Sequence, residues 1–476
     1  MATGSVKQAG IWTSVQQFGS QVCFMLVTVF LARLLSPEDF GLVAMVTVII
    51  GFISYLSEPG IINYIVKNNY SDKVVEDTAF WLGLMLGGGV YFLVYILSPV
   101  IAWFFSEAEL TDLTRVLSLS IIFNSFGFVS IAIRQKNLDY MSVSIIRIIS
   151  ILVSGAIAIY AAFNEFDAYA IAFYWLALSI CTGFGSFLLL GWRPTSRFDK
   201  KVATDILVFG KSMVVMNIIN SLSENLDKII IGKFVGSMQL GIYSMAYRIS
   251  KYPLEKFRLV VFNVLLPVYS QVQGHKNKVA MVWGSATIFI SLLFFSFSVF
   301  LYYTSGFWIR LLLGEQWSAC EPIVKIISFF IFFWAISLTD LPLLIVLEKV
   351  ALSNKIRTVF LLIGGIGSFI IAYFYGELIY VASFYFGSLT VGLIIVKIYC
   401  WMQMKDSLTD FLSNISVSVV VFFIVLVLPF RLYTDFKVVV FSDVMIIFCC
   451  SFFPSIFALI IQRYYIFSFF RSGSYH

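Results

Sequence analysis

Apolar runs of about twenty residues follow one another along the whole chain, and runs of that length fix the fold class before any motif is considered. About fourteen can be drawn, near 10–34, 40–66, 78–104, 114–134, 143–163, 168–191, 206–234, 240–270, 280–304, 322–347, 356–375, 378–402, 412–431 and 442–462. In hydrocarbon each backbone N–H and C=O must be satisfied within its own segment, so such runs cross a bilayer as helices. The expected fold is therefore all-α: a polytopic membrane protein of about fourteen transmembrane helices. With 60% hydrophobic and 12% charged residues, the chain cannot hide its apolar surface in a soluble core. The breaks between runs hold turn-formers and charge, among them Ser36-Pro37-Glu38-Asp39, Gly191-Trp192-Arg193-Pro194 and Gln273-Gly274-His275-Lys276.

Several function classes are disfavoured at once. No polar interval is long enough for a soluble catalytic domain. His275 and His476 are the only histidines, and the cysteines Cys23, Cys181, Cys320, Cys400, Cys449 and Cys450 lack metal-type spacing, so no metal or other cofactor is expected. The first run is too long for a cleavable signal peptide and is expected to be retained. Lys and Arg concentrate in alternate loops, including Lys67, Lys73, Arg134, Lys136, Arg193, Lys200, Lys276 and Lys278, which places those loops and both termini in the cytoplasm. The net charge of +6 is explained by this bias, and no nucleic acid is needed to account for it.

The chain repeats itself. Ala32-Arg33-Leu34-Leu35-Ser36 and Phe40-Gly41-Leu42 are echoed by Gly232-Lys233-Phe234-Val235-Gly236 and Leu240-Gly241-Ile242, and Phe18-Gly19-Ser20 by Phe209-Gly210-Lys211. Each repeat opens a block of six spans, an even number, so both blocks keep one orientation in the membrane. The expected organisation is two parallel six-helix lobes, residues 1–200 and 201–405, followed by two extra C-terminal helices within 406–476. Parallel repeats of this kind are a known transporter plan. Small-residue pairs four apart, Gly83 with Gly87 and Gly364 with Ser368, suit close helix contact.

One region breaks the apolar pattern. Between Asn217 and Arg258 lie Glu224, Asp227, Lys228, Arg248, Lys251, Glu255, Lys256 and Arg258, although a single charge at a helix centre costs about 2.5–3.5 kcal/mol on insertion scales. Such charges must face protein or a watery cavity. Asn217, Asn220, Ser221, Glu224, Asp227 and Lys228 recur at steps of three and four, as do Arg248, Lys251, Glu255 and Arg258, so each set lines a helix face. Cations outnumber carboxylates, and surplus Arg or Lys in a low-dielectric cavity attracts anionic groups such as a diphosphate. Ion pairs that merely fix the helices are the competing explanation, and for Lys256 and Arg258 so is snorkelling to the interface. A poorly solvated carboxylate at Asp227 or Glu224 is a candidate proton carrier, opposed by the adjacent Lys228, which favours the ionised form. The first lobe offers neutral groups instead: Gln16, Gln17, Ser20 and Gln21, then Ser54, Ser57, Glu58 and Asn63 around Pro59-Gly60, where a helix break is expected to expose backbone to a cavity.

Leu31-Ala32-Arg33-Leu34-Leu35-Ser36-Pro37-Glu38-Asp39-Phe40-Gly41 resembles the first inter-span turn of the bacterial polysaccharide transporter family. These are the oligosaccharide flippases of the multidrug/oligosaccharidyl-lipid/polysaccharide exporter superfamily. Leu226-Asp227-Lys228-Ile229-Ile230-Ile231-Gly232, Leu240-Gly241-Ile242-Tyr243 and Ala246-Tyr247-Arg248 resemble it too, nearest to the colanic-acid-exporter-like branch. The resemblance implies a transporter, not an enzyme, in the bacterial inner membrane. It would move undecaprenyl-diphosphate-linked oligosaccharide repeat units to the periplasmic leaflet by alternating access, for capsule, exopolysaccharide or O-antigen assembly. Membrane lipid and a polysaccharide polymerase are the implied partners. The candidate substrate-binding residues are Asn220, Glu224, Asp227, Lys228, Arg248 and Lys251; of these, Asp227, Lys228 and Arg248 lie in matching strings and the others rest on helical spacing. Three rivals stay open: a peptidoglycan-precursor flippase, a multidrug exporter, and a membrane glycosyltransferase or polymerase.

Overall fold

The computed structural model describes residues 6–67 and 72–404. The two C-terminal spans expected within 406–476 lie outside the described residues. Each of the twelve other expected spans corresponds to a helix or a broken helix, and no strand occurs among the described residues. Eleven helices there are long and apolar enough to cross a membrane. Large apolar side chains point outward, as in Trp103 at 78% and Phe374 at 73% exposure, a surface suited to lipid. The protein is a multi-pass membrane protein.

Contacts divide the chain into two compact units, Met1–Gly241 and Ile242–His476. The first contains α1 (Val6–Leu34), α2 (Pro37–Ile53), α3 (Ile61–Lys67), α4 (Lys73–Phe105), α5 (Leu110–Lys136), α6 (Tyr140–Phe163), α7 (Ala168–Ser179), α8 (Gly185–Leu189) and α9 (Lys200–Phe234). Here α4 packs on α5, α1 on α6, α6 on α7, and α9 on α2 and α4. Helix α9, which opens the second sequence repeat, thus packs within the first unit. Helix α10 (Ser237–Gln271) starts at the division, and α11 (Lys276–Leu312), α12 (Cys320–Ile336), α13 (Asp340–Val346), α14 (Val350–Tyr375) and α15 (Leu378–Gln403) complete the second unit. There α11 packs on α12, α14 on α15, and α12 on α15.

The turns follow from their residues. Ser36 caps α2 in a reciprocal box: its Oγ accepts from the Asp39 amide at 3.2 Å, and the Ser36 amide donates to Asp39 Oδ2 at 2.8 Å. Pro37 fills the first turn, where an amide would go unused. Asp199 caps α9 by accepting from the Lys201 and Val202 amides. The connection before it is fastened to α4, because the fully buried Asp77 accepts from the Thr195 amide and hydroxyl. Arg134 binds Asp139 Oδ2 at 2.8 Å and the Leu190 carbonyl at 2.7 Å, a fastening role on the loop side. Burial alone would push the Asp139 carboxyl up. Hydrogen bonds from Ser142 and the Arg134 guanidinium outweigh that and hold it below the usual carboxylate range.

Two of the places where touching backbones require glycine involve α9 and the turn after it. A Cβ on Gly41 would lie 1.7 Å from the Ser237 carbonyl oxygen, and one on Gly241 would lie 1.8 Å from that of Pro37. Gly41 follows Pro37 by four residues as Gly241 follows Ser237, so the contact is reciprocal, as two copies of one motif would make it. The echoing turns read from the sequence therefore meet in space. Second, a Cβ on Gly210 would lie 1.8 Å from the Pro59 carbonyl oxygen. Pro59 and Gly60 are buried there. The helix break between α2 and α3 consequently presses on α9 and does not open backbone to a cavity, which corrects the expectation drawn from Pro59-Gly60. The polar residues around it are used locally: Glu58 Oε1 accepts from the Ile62 amide at 2.9 Å, and the Ser54 and Ser57 hydroxyls bond preceding carbonyls.

Candidate functional site

The candidate residues fall in both units. Asn220, Glu224, Asp227 and Lys228 are on α9 in the first, and Arg248 and Lys251 are on α10 in the second. Along α9 the polar face changes depth as it climbs. Asn220 and Glu224 are exposed, Lys228 is half-buried and Asp227 is 1% exposed, where the C-terminal half of the helix packs under its neighbours. Lys228 Nζ donates to Asn225 Oδ1 at 2.8 Å, and Asn225 in turn donates to the Ser221 carbonyl. Helical spacing sets these groups on one side of α9, but it did not show that Asp227 is buried while Asn220 and Glu224 remain open.

On α10, Arg248 and Lys251 are both half-buried. The Lys251 ammonium lies 3.4 Å from Glu255 Oε1 and 2.5 Å from the Tyr247 hydroxyl. It also sits over the Tyr247 and Trp334 rings, at 4.6 Å and 4.9 Å from their centroids. Behind it Tyr243 stacks on Phe386 at 5.8 Å, and Trp334 meets Phe386 edge-on at 5.2 Å. An aromatic face attracts a cation through its quadrupole, so these rings hold the ammonium in place at a modest desolvation penalty. The geometry leaves Lys251 bound to one carboxylate and two rings, a cation that an anionic group can approach without first breaking a buried bidentate pair. Tyr247 and Trp334 were not among the expected site residues, because the search there followed charged and polar groups.

A second polar centre escaped the sequence reading altogether. Asp340, fully buried at the start of α13, accepts at Oδ1 from Lys397 Nζ at 2.9 Å and from Trp283 Nε1 at 3.0 Å. Lys397 of α15 also donates to Thr287 Oγ1, the Ile336 carbonyl and Thr339 Oγ1, at 3.0, 2.9 and 3.1 Å. The Ile336 carbonyl is left over where α12 gives way to a short 3-10 turn, Ser337–Thr339, so Lys397 satisfies the group that the break releases. The signal was available: Asp340 and Lys397 are opposite charges well inside two largely apolar runs, and such residues imply a partner. A search for clusters passes over isolated charges.

Among the described residues, eleven helices of membrane-crossing length and apolarity, with half-buried cations on α9 and on the more polar α10, define a polytopic membrane protein that carries charge within its helices. Residues 30–322 match the family described as polysaccharide biosynthesis protein, and the chain belongs to that family. The chain is 29% identical over 253 residues to the teichuronic acid biosynthesis protein TuaB of Bacillus subtilis (strain 168), covering 53% of this chain and 52% of that one. It is 26% identical over 299 residues to the lipopolysaccharide biosynthesis protein WzxC of Escherichia coli (strain K12), covering 62% and 61%. The matched stretches thus span between about half and about three fifths of these relatives' length. In fold the protein is similar to the lipid II flippase MurJ in an inward closed conformation, with a TM-score of 0.69 at 16% identity, over 96% of this chain and 99% of that one. It is also similar to an inward-facing multidrug resistance transporter of the MATE family, with a TM-score of 0.63 at 15% identity, over 84% and 98%.

Proposed function

We propose that this protein is a flippase that carries undecaprenyl-diphosphate-linked oligosaccharide units from the cytoplasmic to the periplasmic leaflet of a bacterial inner membrane, for surface-polysaccharide export. The observation that carries the reading is the presence of half-buried cations, Lys228, Arg248 and Lys251, on the helices of a polysaccharide-biosynthesis family member that crosses the membrane many times. The fold by itself is shared with a lipid II flippase and a multidrug transporter and does not choose among them. Family membership and the excess of cation favour a diphosphate-linked glycan over a cationic drug.

In this reading both termini are cytoplasmic, the lobes alternate access, and Lys228, Arg248 and Lys251 take the diphosphate. Asn220 and Glu224 offer open polar groups to the glycan, and Asp227 stays buried on the same helix. Lys251 is the most closely seated member of the set, its ammonium held over the Tyr247 and Trp334 rings beside Glu255. A polysaccharide polymerase would consume the delivered units. Deleting the gene should trap labelled undecaprenyl-linked units in the cytoplasmic leaflet, and the intact gene should release them. Arg248→Ala and Lys251→Ala should each restore export about ten- to hundredfold less well at equal protein level, since a hydrogen bond to a charged group contributes about 1.5–3 kcal/mol. Full rescue by both variants would assign these residues to helix packing.

A further inference from the structure

The oxygens around Lys397 are arranged as an ion-binding shell, which is more than an ion pair needs. An ammonium has three hydrogens to donate, yet four residues each turn one oxygen toward it. Asp340 Oδ1 and the Ile336 carbonyl lie at 2.9 Å, Thr287 Oγ1 at 3.0 Å and Thr339 Oγ1 at 3.1 Å. A contact built for Asp340 alone would engage both carboxylate oxygens, but Oδ2 has no hydrogen-bond partner among the described residues. The Trp283 ring closes a further side, its centroid 4.3 Å from Nζ, with the electron-rich face that attracts a cation. The shell is also braced by bonds that do not involve Lys397: Thr287 Oγ1 and Thr339 Oγ1 are 2.9 Å apart, and Trp283 Nε1 donates to Asp340 Oδ1 at 3.0 Å. All four oxygens belong to α11 and to the break between α12 and α13, whereas the ammonium arrives from α15.

We propose that this shell is a binding site for a monovalent cation of ammonium size, and that the protein fills it with its own Lys397. A carboxylate, two hydroxyls and a carbonyl freed at a helix break make up the hard-oxygen set with which discontinuous membrane helices hold small cations. The C-terminal end of α12 adds the partial negative charge of a helix terminus at Ile336. Thr287, Thr339 and Asp340 are buried, so an ion held there is held away from water. The lysine is therefore a tethered ion: it cannot dissociate and cannot be carried across the bilayer. The natural protein needs no dissolved cation at this break, and no ion gradient is read there. Removing the side chain turns a permanently filled site into one that takes an ion from solution. The inference is independent of what the protein transports.

The full chain with Lys397→Ala, which leaves the path of the lysine stem open, is purified in detergent with choline as the sole monovalent cation. Thermal unfolding is followed by tryptophan fluorescence. Choline is too large for the shell. Replacing it by potassium or by ammonium at constant ionic strength should raise the midpoint saturably by about 2–4 °C, the shift that follows when a ligand binds the folded state at a few times its dissociation constant. The wild-type midpoint should not move in the same exchange. Adding Thr339→Val, which removes one oxygen of the shell, should weaken the response. A midpoint of Lys397→Ala that is the same in choline, potassium and ammonium would overturn the site, as would a wild-type protein that responds equally. Lys397→Arg serves if the alanine variant does not fold. It keeps the charge and the carboxylate partner, so an ion pair alone predicts the wild-type midpoint. A planar guanidinium spreads its charge over several nitrogens and cannot offer one atom to four oxygens, so the shell predicts a midpoint lower by several degrees, or a loss of folded yield. A wild-type midpoint in Lys397→Arg would overturn the shell.

Discussion

Replacing Lys397 by Met is expected to lower the stability of the second unit by about 3–5 kcal/mol, the loss that follows when one partner of a buried ion pair is removed and the other charge stays behind. Asp340 is fully buried, and its Oδ2 has no hydrogen-bond partner among the described residues, so the charge depends on what reaches Oδ1. Removing the ammonium leaves that oxygen with the Trp283 indole at 3.0 Å and the more distant Thr339 hydroxyl at 3.4 Å, and takes the nearer donor from the Ile336 carbonyl at the helix break. The double variant Lys397→Met with Asp340→Leu should recover most of the loss, because exchanging a whole buried pair for apolar groups is often nearly neutral. Trp283 supplies the readout, since Lys397 Nζ lies 4.3 Å from its ring and indole fluorescence will follow unfolding in detergent. An unchanged midpoint in the single variant would mean that the pair does not hold the α12–α13 break.

Gly41→Ala and Gly241→Ala should each destabilise the first unit by at least about 1–3 kcal/mol, the usual range for overpacking, and lower the yield of folded protein. The obstructing atoms are backbone carbonyl oxygens at 1.7 and 1.8 Å from the added carbon, and these cannot rotate away as the tip of a side chain can. The helices must separate, which breaks the reciprocal contact between the two echoing turns. Gly51→Ala and Gly89→Ala provide the control: nothing lies within 4 Å of a Cβ at either position, and an alanine there should be neutral or stabilising by up to about 1 kcal/mol through helix propensity. Equal behaviour of all four variants in a thermal-unfolding series would remove the close-contact explanation.

The fold was legible because membranes simplify the code. Among the described residues helix placement follows from run length, and the capping chemistry at Ser36 to Asp39 marks a boundary that the structure reproduces to within a few residues. The repeat was legible for a related reason: Gly41 and Gly241 are held to glycine by touching backbones, so the two motifs kept their shape. Depth was not legible. Asn220 and Asp227 lie on one face of α9, yet the first is exposed and the second buried, because what covers a helix depends on neighbours far away in sequence. The same holds for Pro59-Gly60, whose break reads equally well as an opening or as a close contact until Gly210 is found against it. Lys397 shows the remaining gap. Its partners Thr287, Ile336, Thr339 and Asp340 come from 57 to 110 residues earlier, and no local pattern joins them.

The central claim is transport of a lipid-linked glycan across the bilayer, and the direct measurement uses purified protein in sealed liposomes. Undecaprenyl-diphosphate carrying a labelled oligosaccharide is placed in one leaflet, and its arrival in the other is followed with a membrane-impermeant enzyme that removes the label. The account predicts translocation well above protein-free liposomes, reduced about ten- to hundredfold by Lys251→Ala. Translocation no faster than in protein-free liposomes, from folded and reconstituted protein supplied in turn with a proton gradient, a sodium gradient and a membrane potential, would contradict it.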